Sequence, residues 1–279
     1  MRRILWLWCL VVFNGVVQMP MQATEQNRVK ETLLDNGLQI LTKEQHQLPI
    51  VSVMLWYRVG SRHEETGKTG VSHFLEHLLF KGTDQYKKGE IDLITTRNGG
   101  SNNAFTWIDA TAYYFNFASD RWEQALEIEA NRMRNTQFVP EEVEAEREVV
   151  LSEWRNSKDT PEENLMDLVN GTAFMAHPYH SPIIGWFQDI AKVTRQEVMD
   201  YYNQHYHPNN ATLVIVGDFN TEKTIQKIVE LFGKIPKGPD LEDVRVVEPP
   251  QEGERRVMLK KDGVAVPKLI IGYTPPAID

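Results

Sequence analysis

The chain has 279 residues, of which 41% are hydrophobic, 30 are Lys or Arg and 39 are Asp or Glu, for a formal net charge of −9. That balance supplies enough apolar side chain for a packed core, and without a basic cluster it speaks against nucleic acid as a partner. The single cysteine, Cys9, excludes disulfides and thiolate chemistry from everything that follows it.

The chain begins Met1-Arg2-Arg3, followed by an almost uninterrupted apolar run over residues 4–17 and then by the small residue Ala23. A short basic head and an apolar stretch too short for comfortable spanning predict an export signal over residues 1–23, and so a periplasmic or extracellular location. Met21 suits the small-residue position before a cleavage point poorly, so retention of residues 4–17 as a membrane anchor is the alternative.

Residues 29–41 enclose Asp35-Asn36-Gly37 and predict a hairpin, and residues 50–59 predict a strand. Residues 70–80 then read Gly-Val-Ser-His-Phe-Leu-Glu-His-Leu-Leu-Phe. On a helix, His73, Glu76, His77 and Phe80 share one stripe, with Phe74, Leu75, Leu78 and Leu79 opposite. Such a helix buries its leucines and aims His73, Glu76 and His77 at one point. Imidazoles four residues apart can both reach one Zn²⁺ at about 2.0–2.1 Å. Glu76 is then free to take a proton from a metal-activated water. The order His-x-x-Glu-His is the inverted form of the common zinc-protease motif. The competing reading is an amphipathic helix with two merely exposed or capped histidines.

Further along, residues 91–97 predict a helix, residues 104–118 strand pairing, and residues 121–135 an amphipathic helix. Pro140 opens a helix over residues 140–155 with acidic residues crowded near its N-terminus, as the helix dipole favours. Its Val143, Glu146, Val149, Val150 and Glu153 share a stripe, with Glu144, Arg147, Glu148 and Arg155 opposite. A carboxylate on an apolar face is costly without a cation, so Glu146 and Glu153 are expected to face the metal. Glu141, Glu142, Glu144 and Glu148 read as a solvated face. Helices are expected over residues 161–176, 194–205 and 221–232, and a strand over residues 211–216. His46, His63, His177, His180, His205 and His207 read as loop and turn residues without convergent ligands. The proportions predict an α+β fold, a mixed and largely antiparallel sheet with helices layered on one face.

The inverted motif, followed by Glu146-Arg147-Glu148-Val149-Val150-Leu151-Ser152-Glu153, resembles the pitrilysin family, which includes insulin-degrading enzyme and the mitochondrial processing peptidases. The resemblance implies that His73, His77 and Glu153 hold one zinc ion, that Glu76 is the general base of an endopeptidase, and that Glu146 is a supporting carboxylate behind the ligands. The run Gly99-Gly100-Ser101-Asn102-Asn103-Ala104-Phe105-Thr106 is similar to the family's edge strand, which pairs with extended peptide or unfolded-protein substrates. Asn103, Ala104 and Phe105 are carried over as substrate-contacting. Members of the family pair two related halves. The expectation is therefore one catalytic half over residues 28–235, a Pro-rich linker over 236–253 and the start of a similar unit over 254–279. That unit's first strands are expected at 255–260 and 268–273, and a second half would act in cis in a longer protein or in trans. A non-catalytic half that binds peptides or scaffolds a partner is the other function this pattern allows.

Overall fold

The computed structural model describes residues 28–262 and 266–273. The expected export signal lies outside the described residues. Among the described residues, no helix is long and apolar enough to cross a membrane.

Alternation of apolar and polar residues produces six strands: β1 (Lys30–Leu33), β2 (Gln39–Glu44), β3 (Ile50–Tyr57), β4 (Ser101–Thr106), β5 (Thr111–Ala118) and β6 (Ala211–Gly217). They form one sheet in the order β1-β2-β6-β3-β5-β4. All neighbours are antiparallel except β2 and β6. The helices are α1 (Val71–Leu78), α2 (Glu90–Arg97), α3 (Glu123–Asn135), α4 (Pro140–Asp159), α5 (Pro161–Ala173), α6 (Phe187–Ile190), α7 (Arg195–His205) and α8 (Thr221–Phe232). Their starts carry local signals: Pro140 at the first helical position, a Thr194–Glu197 capping box, and the Asn220 side chain on Lys223 N–H.

The period-2 pattern sorts the sheet into two faces. Val51, Val53, Leu55, Tyr57, Tyr113, Phe115, Phe117, Leu213 and Ile215 are buried in the core shared with α1, α3, α4, α7 and α8. Ser52, Met54, Trp56, Tyr114, Thr212, Val214 and Val216 lie on the other face and are only half-buried. The expected α+β architecture, a mixed and largely antiparallel sheet with helices on one face, is therefore what forms.

Two charged residues sit inside that core. Glu129 and Arg132 are each about 1% exposed, with Arg132 Nη2 2.5 Å from Glu129 Oε1. The guanidinium lies over the Tyr113 ring, 4.2 Å from its centroid, which adds cation–π attraction where water is excluded. The backbone carbonyl of Arg132 accepts from Tyr202 Oη at 2.9 Å and joins α3 to α7.

The tail differs from expectation. Every helix and strand among the described residues ends by Phe232, so the strands expected at 255–260 and 268–273 do not form. A strand needs a neighbour for its backbone groups, and this stretch docks on α5 instead. The Glu248 carboxylate accepts from the backbone N–H groups of Met175, Ala176 and His177 at 2.7–2.9 Å. Arg255 Nη1 donates to the carbonyls of Thr172 and Ala173, which the C-terminus of α5 leaves free. Helix α4 also differs from its expected faces. Val149 is 43% exposed, whereas Arg147 is buried, donating to Ile190 O at 2.6 Å and lying over the Phe74 ring. An Arg stem packs against apolar surface while its head finds a carbonyl, so helical spacing alone misassigns it.

Replacing Arg132 by Met leaves Glu129 buried without a counter-charge and is expected to cost about 3–5 kcal/mol in urea unfolding. Converting Glu129 to Leu as well should restore most of that loss, and no recovery in the double variant would refute a paired role. His205, which ends α7, is buried with Nδ1 lacking a hydrogen-bond partner. Burial, reinforced by His63 and His207, lowers its pKa from 6.5 to about 4. Its folded pKa is depressed, so its contribution to stability is intact above pH 6.5 and is lost as pH falls towards about 4. His205→Gln is expected to remove on the order of 2 kcal/mol of that acid-side loss. A wild-type-minus-variant stability difference that is flat between those pH values would contradict this.

Candidate metal centre

Helix α1 is two turns long and buries Phe74, Leu75 and Leu78 in the core, which leaves His73 and His77 on the side facing α4. Their rings meet edge to face, with centroids 4.7 Å apart. Helix α4 crosses beside them and brings Glu153, near its C-terminal end, into the same space. His77 Nε2 lies 3.4 Å and His73 Nε2 3.9 Å from Glu153 Oε2. One donor atom from each of His73, His77 and Glu153 falls within 4.8 Å of the others. Two imidazole nitrogens and one carboxylate oxygen form the donor set of a catalytic zinc centre that keeps an open position. The residues therefore fit a divalent ion of that type.

Glu146 sits one step behind. Its Oε1 is 2.9 Å from His77 Nδ1 and its Oε2 is 2.6 Å from Lys81 Nζ. A neutral imidazole that donates from Nδ1 presents its Nε2 lone pair outwards, so in that state Glu146 favours the tautomer able to ligate a metal. Burial lowers His77's proton affinity, but the bond to Glu146 and the carboxylates of Glu153, Glu146 and Glu76 outweigh it and raise the pKa. His73 differs: burial, together with neighbouring His77, pushes it down to about 3, and its Nδ1 has no hydrogen-bond partner. His73 is thus neutral, the form that can offer a lone pair.

Glu76 is buried on the same stripe, and its Oε2 accepts from Thr106 Oγ1 at 2.6 Å. Burial raises its pKa and outweighs the opposing effect of the Thr106 hydroxyl. A carboxylate with raised proton affinity, fixed in orientation and excluded from the three-atom cluster, suits proton transfer.

His73, Glu76 and Glu153 line an open cleft of about 550 Å³ together with Ala104, Phe105 and Thr106, the end of α4, Thr160, Glu163, Ile183 and Ile184. Strand β4 forms one wall and is one of the two edge strands of the sheet, paired only with β5 among the described residues. Ala104 and Phe105 therefore lie beside the cluster, with the Phe105 ring edge-on to Trp56. Asn103 is exposed and does not line the cleft; its Oδ1 accepts from the Ala104 N–H at 2.9 Å. Among the described residues, His73, His77 and Glu153 form the only such convergent group of potential ligands. His46 is held between Asp218 and Glu44, and His207 Nε2 pairs with Asn203 O.

Sequence reading missed Thr106 and Lys81. Thr106 closes the strand run already singled out, and its alternation with Ala104 was a usable signal. Lys81 lies four residues beyond His77, at helical spacing.

A sequence model of the insulinase family, peptidase family M16, matches residues 39–185, and one described as the peptidase M16 inactive domain matches residues 192–279. The second match begins before α7 and includes β6, which lies between β2 and β3 in the sheet of the first. Zinc protease PqqE of Helicobacter pylori is 35% identical over 250 residues, covering 88% of this chain and 56% of PqqE. Mitochondrial-processing peptidase subunit beta of Dictyostelium discoideum is 30% identical over 217 residues, covering 77% of this chain and 46% of its own. Among solved structures, a protease from Helicobacter pylori superposes with a TM-score of 0.81 at 34% identity, covering 85% of this chain and 58% of that one. The first half of the periplasmic protease PqqL from Escherichia coli gives 0.72 at 26% identity, covering 79% and 48%. The chain spans about half the length of the curated relatives it matches. With the inverted motif, the sheet and the sequence matches in agreement, the chain belongs to the insulinase family, peptidase family M16.

Proposed function

We propose that this chain carries the zinc centre and the peptide-binding edge of a zinc-dependent endopeptidase acting on peptides or partly unfolded proteins. The observation that carries the reading is the meeting of His73, His77 and Glu153 donor atoms within 4.8 Å, with Glu76 beside them and the open edge of β4 along the cleft. The names of the zinc-protease relatives support zinc as the metal. In this reading His73, His77 and Glu153 hold one ion, and Glu146 supports His77. When bound, zinc supplies Lewis-acid polarisation to the attacking water and the scissile carbonyl.

The chain's own groups do the rest. The outward-facing backbone groups of β4, in the stretch that carries Asn103, Ala104 and Phe105, hold an extended peptide by strand addition once the Asn103 side chain gives up the Ala104 N–H, and such pairing depends little on side-chain identity. Glu76, held by Thr106, takes a proton from the attacking water and delivers it to the leaving amide nitrogen. The C–N bond breaks, and the products are a carboxylate and an amine. A second, related half, in the same polypeptide or a partner, completes the enclosure around substrate. The match of residues 192–279 to the inactive-domain model and the separate crystal structure of a first half of PqqL support that two-part organisation. Residues 28–235 act as the catalytic domain. The composition of residues 1–23 supports export, with retention of residues 4–17 as an anchor the alternative.

The competing reading, a non-catalytic peptide-binding half, has against it the presence of every ligand and the base. Cleavage by the chain assembled with its second half should be abolished by a chelator and restored by zinc, whereas peptide binding without cleavage would favour the competitor. Glu76→Gln is expected to keep zinc while lowering kcat by about 10²–10⁴-fold. Unaltered turnover would remove Glu76 from its role. Glu153→Ala should lose the ion, and Glu146→Ala should weaken zinc binding by about 10–100-fold, measured by chelator competition. Undiminished occupancy in Glu153→Ala would overturn the ligand assignment.

A further inference from the structure

Two of the proposed ligands sit on α1, yet they are held differently. The His77 ring is fixed through its Nδ1 by Glu146. The His73 Nδ1 is buried and has no partner. Metal-binding histidines normally have their far nitrogen held by a carboxylate, carbonyl or water. No hydrogen bond at Nδ1 fixes the His73 ring, so its direction depends on packing against His77 and on its backbone, and His73 is only the third residue of the helix. A first turn that frays would move it.

The usual protection against fraying is a Ser, Thr, Asp or Asn at the N-cap, whose side chain accepts a free N–H. Here the N-cap is Gly70, with φ of +85° and no side chain to offer. The residue cannot be larger. A Cβ at Gly70 would lie 2.4 Å from Ile184 O, and one at Gly185 would lie 2.6 Å from Gly70 N. The cleft-wall segment of Ile183 and Ile184 approaches α1 so closely that the helix has no room to cap itself.

Glu64, from the loop before the helix, does it instead. Its Oε2 accepts from Gly70 N at 2.7 Å and its Oε1 from Ser72 N at 2.8 Å, so one carboxylate ties the cap residue and the residue next to His73. The anchoring continues outwards. Ser72 Oγ lies 2.7 Å from Tyr201 Oη on α7, and Asp189 holds both N–H and Oγ1 of Thr69. Burial pushes the Glu64 pKa up to about 7, so at pH 8 the group is ionised and its charge suits the helix N-terminus.

We propose that Glu64 is the positioning residue for His73, a carboxylate clamp on the first turn of α1 that stands in for the hydrogen bond the His73 ring lacks. The proposal rests on the zinc reading above. It is tested on the full chain at pH 8 with Glu64→Ala and Glu64→Gln, against Asn36→Ala as a control. Asn36 ties the first hairpin to the end of α8 through Phe232 O and Ile235 O, so its loss weakens the fold without touching α1. Zinc affinity is read by competition with a chromogenic chelator, ligand geometry from the visible absorption of the Co²⁺-substituted protein, and the clamp from amide hydrogen exchange over residues 70–74.

Glu64→Ala should weaken zinc binding by about 10–100-fold, alter the Co²⁺ bands and speed exchange at Gly70 and Ser72, whose N–H groups it releases. Glu64→Gln, which keeps one acceptor oxygen, should fall between it and wild type, and carries the test if the Ala variant does not fold. Asn36→Ala should leave zinc affinity and the Co²⁺ bands unchanged. Zinc affinity and Co²⁺ bands unchanged in the Glu64 variants, or equal losses in Asn36→Ala, would overturn the clamp. A wild-type chain that takes up no zinc would instead sink the metal reading itself.

Discussion

Glu146 stands between His77 and Lys81, and through it the two helices that carry the donor atoms are held face to face. The carboxylate comes from α4, the imidazole from α1 and the ammonium of Lys81 from just beyond its end, with contacts of 2.9 Å and 2.6 Å at a side chain only 8% exposed. Away from water such charged hydrogen bonds are strong, and leaving any member unpaired is expensive. The same contact orients the His77 ring and sets the distance at which Glu153, two turns further along α4, meets the histidines. Structural stability and site geometry are therefore one interaction.

The fold places this contact next to the free edge of the sheet. Strand order puts β4 outermost, and Thr106, its last residue, reaches Glu76. An edge strand is ordinarily a liability because its unpaired N–H and C=O groups invite other chains. Here those groups run alongside Glu76 and the His73, His77 and Glu153 cluster. The Asn103 side chain, which accepts the Ala104 N–H, partly covers that edge within the chain. Burial raises the Glu76 pKa and lowers that of His73, so the base and the ligand each take the protonation behaviour their proposed roles require.

The cleft's far wall is held less firmly. Helix α5 has no buried residue, yet Thr160 and Glu163 at its start line the cleft. Besides the Lys158–Asp167 pair with α4, it is held by Arg255 on its last carbonyls and by Glu248, from the stretch that composition marks as a linker, on the N–H groups just after it. A Pro-rich, charged segment can have a defined place without a helix or strand of its own when its charges find free backbone groups.

Much of this was legible in the sequence because it rests on local periodicity. The helical spacing of His73, Glu76 and His77, the Pro140 start, the Thr194 capping box and the alternation along β3 and β6 each follow from the backbone geometry of a single element. The resemblance to the pitrilysin family rested on such runs, and the family assignment agrees with it. What only the tertiary structure decided involves residues that local spacing does not relate: the burial of Arg147, the hold of Thr106 on Glu76, the docking of Glu248 on the segment after α5, and Glu64 replacing a cap that Gly70 has no room to provide. Helical or strand spacing states which side of an element a residue occupies. Which partner occupies the other side depends on how the elements pack, and that is a property of the whole chain.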